Sequence, residues 1–349
     1  MTAPTTRSKT NPGPPRRPTL RDVASAAGVD ASLVSRVINH DPGITIPAST
    51  RQRIEQAVEQ LGYQPNVRAR GLRLARAFTV GFILPKLSSP VYGPIVEGLQ
   101  QRATQDGYVV MLGGLGDGER PEASFARLLG EGRVDGLLLG SADTADRTLL
   151  KLLRDPQPIV LVNRAVEGAG VSCAMVDDAA GARTAVQHLL DLGHRHIGVI
   201  AGPPGLDTTK RRLHGAEAAV GRRPLSVVTA AAFDAPSGET AMSELLSRDR
   251  AVTAVFASNV EIAVGALAAA RAKGLQVPDD LSVITLHDHP LAPYVQPALT
   301  TVTLPLAELG RVAFELLLRR IDGEDPVSVI VDGPIQLIQR ASTAPPRKG

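Results

Sequence analysis

Apolar positions recur along this chain with two different periods, and the change from one to the other divides it. Over residues 19–61 the period is helical. Leu20, Val23, Ala24 and Ala27 fall at i, i+3, i+4 and i+7, one face of a first short helix. Thr19 suits its N-cap, Asp22 gives an imperfect capping box, and Gly28 can take the positive φ that closes the helix. Asp30 caps a second run whose apolar side is Leu33, Val34, Val37 and Ile38. Its other side carries Ala31, Ser32, Ser35, Arg36 and Asn39, small or polar residues and one guanidinium. A turn-rich link with Pro42, Gly43 and Pro47 leads to a third helix over 50–61, with Ile54, Ala57, Val58 and Leu61 on one face and Gly62 as its stop. Three such helices can share one small core.

From Phe78 onward, short apolar runs fit for buried parallel strands alternate with helical stretches. The first series has runs at 79–85, 108–113, 134–140 and 158–163, with helices at 94–106 and 119–131. The second has runs at 196–202, 226–230, 251–258 and 281–286, with helices near 178–193, 209–220, 237–248 and 259–273. This alternation predicts βαβ units and parallel sheets, and two series predict two doubly wound subdomains with a cleft between them. After 299–302, a helix at 305–322 and a strand at 327–332 cross back to the first subdomain. In such sheets ligands sit beyond the carboxyl ends of the strands.

Composition adds an asymmetry to this picture. The apolar fraction of 43% and charged fraction of 21% are those of a globular chain. Residues 1–76 hold 12 Lys or Arg against 5 Asp or Glu, a net of +7, while the remainder holds 26 against 30, a net of −4. A basic end on a mildly acidic body suggests a polyanion-binding module attached to a domain with other work. Residues 1–18, rich in Pro, Thr and charge, read as a disordered tail. Residues 65–76 can form a short basic helix capped by Asn66 and carrying Arg68, Arg70, Arg73 and Arg76. A helix so short is marginal alone in water, and DNA would neutralise its charge.

Cys173 is the only cysteine, which excludes an intrachain disulfide and a Cys-based zinc site. The N-terminus lacks a signal-peptide core and no apolar run approaches membrane-spanning length, so a cytoplasmic protein with no membrane partner is expected. Catalytic motifs are missing: there is no G-x-S-x-G, H-E-x-x-H or G-x-x-x-x-G-K-[ST]. The run GGLGDG at 113–118 lacks dinucleotide spacing and reads as a turn. His287, Asp288 and His289 form a compact trio, which reads as a polar loop at the cleft rim rather than a metal site. Neither a catalytic residue nor a cofactor is expected.

TLRDVA, AAGV, VSRVIN, TRQRIEQAVEQLGYQPN and ARGLR resemble the N-terminal domain of LacI/GalR-type bacterial repressors. VDDAAGARTAVQHLLDLGHRHIGVIAGP (176–203), RLHG (212–215) and PALTTV (297–302) resemble the body of the same family, which is similar in fold to periplasmic sugar-binding proteins. The resemblance covers about residues 19–340, although the link after the second helix is longer than the family's usual spacing. It implies an α/β fold class: a small all-α helix-turn-helix DNA-binding domain plus a two-subdomain, periplasmic-binding-protein-like body with doubly wound parallel sheets. The implied domains are a tail at 1–18, the helix-turn-helix domain at 19–64, a hinge helix and linker at 65–77, and an effector-binding and dimerisation domain at 78–340. Within the last, one subdomain takes about 78–176 and 304–340, the other about 177–303, and a tail follows at 341–349.

The family's function is ligand-responsive transcriptional regulation, most often repression, by a homodimer on a near-palindromic operator in double-stranded DNA. The DNA-binding residues implied are Thr19, Ala31, Ser32, Ser35, Arg36 and Asn39 in the helix pair, with Arg36 placed to read a guanine edge. Asn66, Arg70 and Leu72 belong to the hinge helix, which lies in the minor groove, Leu72 matching the leucine that wedges between base steps. The effector, a sugar or related metabolite, is implied to meet Arg183 in the GAR segment, Asn259, Phe233, His287 and Asp288. Two positions depart from the family: His287 stands at a usual aspartate, and Val260 where an aspartate commonly follows the asparagine. The effector is then less hydroxylated than a simple hexose, or absent. The alternative is a sugar-binding sensor without a direct transcriptional role.

Overall fold

The computed structural model describes residues 18–38, 43–63, 74–114, 121–140, 157–166 and 168–347. Asn39, Asn66, Arg70 and Leu72 lie outside the described residues, as do all but the last position of the expected N-terminal tail. The chain divides into two compact units, Met1–Arg76 and Ala77–Gly349.

The first unit holds α1 (Leu20–Ala27), α2 (Ala31–Ile38) and α3 (Ala48–Leu61). Its capping box is complete: Thr19 Oγ1 accepts the Asp22 amide at 3.4 Å, and Asp22 Oδ2 accepts the Thr19 amide at 2.7 Å. Gly28 closes α1 at φ 65°, its amide donating to the carbonyls of Ala24 and Ser25. Val23, Ala24 and Ala27 pack with Val34, Val37, Ile54 and Ala57 into one small core, which Tyr63 also joins. Leu61, expected on the inner face of α3, is exposed because it ends the helix.

The second unit has two lobes. In the first, β1 (Thr79–Leu84), β2 (Val109–Gly114), β3 (Gly136–Leu139), β4 (Ile159–Val162), β5 (Ser172–Met175) and β11 (Ser328–Ile330) form one sheet in the order β11-β5-β4-β3-β1-β2. Every pairing in it is parallel. The sequence pattern missed β5: Ser-Cys-Ala-Met shows neither alternation nor β-branched residues, and becomes a strand because β4 and β11 flank it. As an edge strand, β2 leaves Val109, Met111 and Leu112 exposed, where a buried run was expected.

Helices α4 (Tyr92–Gln105), α5 (Pro121–Gly130) and α10 (Leu306–Ile321) cover this lobe. Gly98 and Gly310 let α4 and α10 meet backbone to backbone, since a Cβ on either would overlap a carbonyl oxygen of the other helix, that of Ala307 or Ile95.

In the second lobe, β6 (Ile197–Ala201), β7 (Leu225–Thr229), β8 (Ala254–Ala257), β9 (Ser282–Leu286), β10 (Thr300–Val302) and β12 (Leu337–Ile338) run in the order β12-β10-β9-β8-β6-β7. Their helices are α6 (Asp178–Asp191), α7 (Asp207–Val220), α8 (Ala235–Arg248) and α9 (Val260–Ala272). Helix α10 and β11 do cross back to the first lobe. The boundary expected at 340 does not hold, and the described residues of the tail expected at 341–349 pack on the second lobe. β12 pairs antiparallel with β10, so the chain returns to the second lobe, and Ser342 and Thr343 are buried there. Ser342 Oγ donates to the Val283 carbonyl at 2.6 Å, and Thr343 Oγ1 lies 3.0 Å from His188 Nε2. A polar string reads as a tail by composition, yet its hydroxyls satisfy buried groups of the lobe. Among the described residues no helix is long and apolar enough to cross a membrane.

Candidate functional site

In the first unit, packing decides what α2 presents. Val34 and Val37 point into the core, which leaves Ser32 and Arg36 exposed and Ala31 and Ser35 half-buried. Arg36 Nη2 donates to the Gly43 carbonyl at 3.3 Å, steadying the guanidinium beside the link that follows the helix. The exposed side is thus low in profile with one long cationic group. Thr19 has its hydroxyl and amide engaged by the Asp22 carboxylate.

In the second unit, residues from the carboxyl ends of strands in both lobes line one small cavity that is partly open to solvent. Ser89, Val91 and Tyr92 follow β1, and Asn163 and Arg164 follow β4. Across from them stand Thr208 and Arg212 on α7, Phe233 beyond β7 and Asn259 beyond β8. Strands β1 and β3, and β6 and β8, straddle the points where strand order reverses, the place where open α/β sheets bind ligands.

Arg212 is the best-anchored group of the cleft. Its Nε donates to Asp178 Oδ1 at 2.7 Å, its Nη1 to the Ser258 carbonyl at 2.9 Å, and its Nη2 lies 3.4 Å from His287 Nε2. Asp178 is wholly buried and turns its other oxygen to Arg211 Nη1 at 2.5 Å. Burial alone would raise the Asp178 carboxyl, yet Arg212 and Arg211 hold it below the ordinary carboxylate value. The Phe233 ring lies under two guanidiniums, with Arg212 Cζ 5.7 Å and Arg164 Cζ 5.9 Å from its centroid. Gly202 makes room for that ring, because a Cβ there would overlap it.

His287 adopts φ 70° just past β9 and is buried. Burial first, and then the Arg212 charge, lower its pKa to about 3, against the opposing pull of Asp178. The imidazole is therefore neutral near pH 7. A guanidinium can only donate, so Nε2 accepts from Arg212 and the proton sits on Nδ1. The structure places His287 behind Arg212, which it helps to orient, rather than on the cavity wall.

Of the five residues expected to meet an effector, Phe233 and Asn259 line the cavity. The Asn259 Oδ1 accepts the Ile262 amide at 2.9 Å and caps α9, which leaves its amide nitrogen for a ligand. Arg183, by contrast, is exposed and does not line this cavity. Gly181, Ala182, Ala185 and Val186 form the buried side of α6, which turns the intervening Arg183 outward. Asp288 does not line the cavity either: its Oδ1 accepts from Thr301 Oγ1 and Arg340 Nη1, both at 2.7 Å, and knits the β9 loop to the C-terminal segment. The His-Asp-His trio diverges, with His289 Nδ1 accepting the Leu291 amide at 3.2 Å. Among the described residues no three His, Cys, Asp or Glu groups gather for a metal.

Sequence reasoning did not assign Asn163, Arg164, Thr208 or Arg212. Arg164 and Asn163 stand directly at the end of an expected strand, and Arg212 opens the RLHG segment near the start of the helix after another. The strand-end rule, applied strictly, would have selected Asn163 and Arg164, whereas Thr208 and Arg212 lie within a helix and carried no such signal.

A packed helix-turn-helix unit and a two-lobed binding body with a polar cleft define a DNA-binding regulator of the periplasmic-binding-protein-like class. Residues 19–66 match the family described as bacterial regulatory proteins, lacI family, and residues 186–343 match the periplasmic binding protein-like domain. The HTH-type transcriptional regulator GalS of Salmonella typhimurium is 33% identical over 330 residues, 93% of this chain and 96% of that protein. A transcriptional regulator CelR–cellobiose complex is 32% identical with TM-score 0.69, covering 93% of this chain and all (100%) of that one. The Lac repressor dimer bound to operator and the anti-inducer ONPF is 26% identical with TM-score 0.73, covering 94% of this chain and 100% of that one. The chain belongs to the lacI family of bacterial regulatory proteins.

Proposed function

We propose that this chain is a transcriptional repressor that binds a near-palindromic operator as a homodimer and whose hold on DNA is set by a small molecule in the inter-lobe cleft. The observation that carries this reading is the exposed side of α2, with Ser32 and Arg36 outward on a fully packed three-helix core, in the same chain as a polar cleft at strand ends. Arg36 reads a base edge. Ala31 and Ser32 are short and favour apolar or water-mediated contacts, while Thr19, Ser35 and Asn39 flank them. Two such units related by a two-fold axis would read two half-sites. The related Lac repressor, bound to operator as a dimer, supports this assembly.

Asn66, Arg70 and Leu72 form the hinge contact, with Leu72 as the minor-groove wedge. In the cleft, Arg212, Arg164, Phe233, Asn163 and Asn259 hold the effector, as supported by their common cavity and by the cellobiose bound to a relative. Effector binding shifts the lobes and so alters the pairing of the two hinges. Such coupling is typically worth about 1–3 kcal/mol.

Selection of bound sequences from random duplexes by the full chain tests the reading. The expected product is an inverted repeat of two half-sites. Absence of any enriched motif would set it aside in favour of a sensor without a role at DNA.

A further inference from the structure

Charge in the cleft does not balance. Arg212 is matched by Asp178, but Arg164, at 8% exposure, has no carboxylate partner among the described residues. Its Nη1 donates to Thr208 Oγ1 at 3.3 Å, and its buried Nε has no hydrogen-bond partner. A guanidinium stays charged at any working pH, and a buried charge left unmatched is costly. The nearby carboxylates are committed elsewhere. Asp207 Oδ2 takes Arg211 Nε at 2.9 Å and the Ala165 amide at 3.2 Å, and Glu261 faces Lys86 at 3.6 Å and Ser89 at 3.3 Å. Asp234 caps α8 through the Ser237 amide at 2.9 Å. His287 and Val260, standing where carboxylates are usual, supply no charge.

With Nη1 on Thr208, the edge of Arg164 formed by Nε and Nη2 is the fork that pairs side-on with a carboxylate or phosphate. The Tyr92 hydroxyl, which donates to the Gly140 carbonyl at 2.8 Å, also lies within hydrogen-bonding reach of the Arg164 guanidinium, so Thr208 and Tyr92 are its neutral partners on this wall. Asn163 Oδ1, on the same wall and also without a partner, can accept from a hydroxyl. We infer that the cleft takes a small anionic polyhydroxy compound, a sugar acid or sugar phosphate, with its anion on Arg164 and a hydroxyl on Asn163. This rests on the reading of the cleft as the effector site.

Calorimetric titration of the full chain with matched probes tests it: glucose, glucuronate and glucose 6-phosphate, and ribose with ribose 5-phosphate. At least one anionic probe should bind tenfold or more tightly than its neutral parent, and the acid and phosphate arms tell the two anions apart. Arg164→Gln should remove that preference by tenfold or more and Arg164→Lys should restore part of it. The melting temperature of ligand-free Arg164→Gln should hold or rise, because an unmatched buried charge is gone. Neutral parents binding as tightly as their anions, a preference that survives Arg164→Gln, or no binding by any anionic probe would each overturn the inference. Selection of DNA by the same preparation separates the two claims, since a chain that enriches an inverted repeat yet takes only neutral sugars remains a regulator with a different ligand.

Discussion

Arg36 and Arg164 carry the same group in opposite surroundings, one exposed on α2 and tethered to a carbonyl, the other enclosed and unmatched. Arg36→Ala should cost about 1–3 kcal/mol of operator affinity at one base position. Comparing the sequences selected by variant and parent checks this, and an unchanged base preference removes Arg36 from the reading set. At Gly202 the added methyl of Gly202→Ala would drive the Phe233 ring from under its two guanidiniums. Overpacking of that kind costs about 1–3 kcal/mol, so ligand affinity and melting temperature should both fall, read by calorimetry and thermal scans. At this scale the sequence was legible only in part. Phe233 and Asn259 stand in the cavity wall, but Arg183 does not. One residue along a helix turns a side chain by about 100°, so a segment match cannot tell Arg183 from its buried neighbours Ala182 and Ala185.

At the scale of elements, local pattern carried most of the information. The first helix follows from apolar spacing and its caps, the second from apolar spacing, and the strands at β1, β4, β6, β8 and β9 from continuous apolar runs. What was missed depends on partners distant in sequence: β5 is held between β4 and β11, and β12 pairs back onto β10. The α4–α10 contact is of the same kind, because nothing local marks Gly98 and Gly310 as points of backbone approach. Gly310→Ala would press a methyl into the Ile95 carbonyl and should destabilise the fold by about 1–3 kcal/mol. Urea unfolding checks this, and a midpoint equal to the parent's would mean that the two helices can separate at no cost. Thr19→Ala removes the hydroxyl half of the α1 cap and should cost about 0.5–2 kcal/mol, seen in the same measurement.

For the whole molecule, three buried imidazoles make stability a function of pH. Burial lowers the pKa values of His287, His188 and His194 below the ordinary histidine value, that of His287 to about 3. Below about pH 6.5 the unfolded chain binds protons at these positions while the folded chain resists them, so stability falls as the pH drops through that range. Urea midpoints between pH 7.5 and 5 should decline, and His287→Gln should flatten the decline. The α/β class and the two-lobed plan were plain from the alternation of runs and helices. The return of residues 337–347 to the second lobe was not, since that segment is polar and its partners lie far back in the chain. The central claim is that one chain couples a DNA-reading unit to a cleft ligand. The most direct test is the affinity of the full chain for its selected operator, measured with and without saturating amounts of a compound shown to bind the cleft. A change of about 5–150-fold is predicted, with the reciprocal change in ligand affinity when operator is present; identical operator affinities in the two conditions would contradict it.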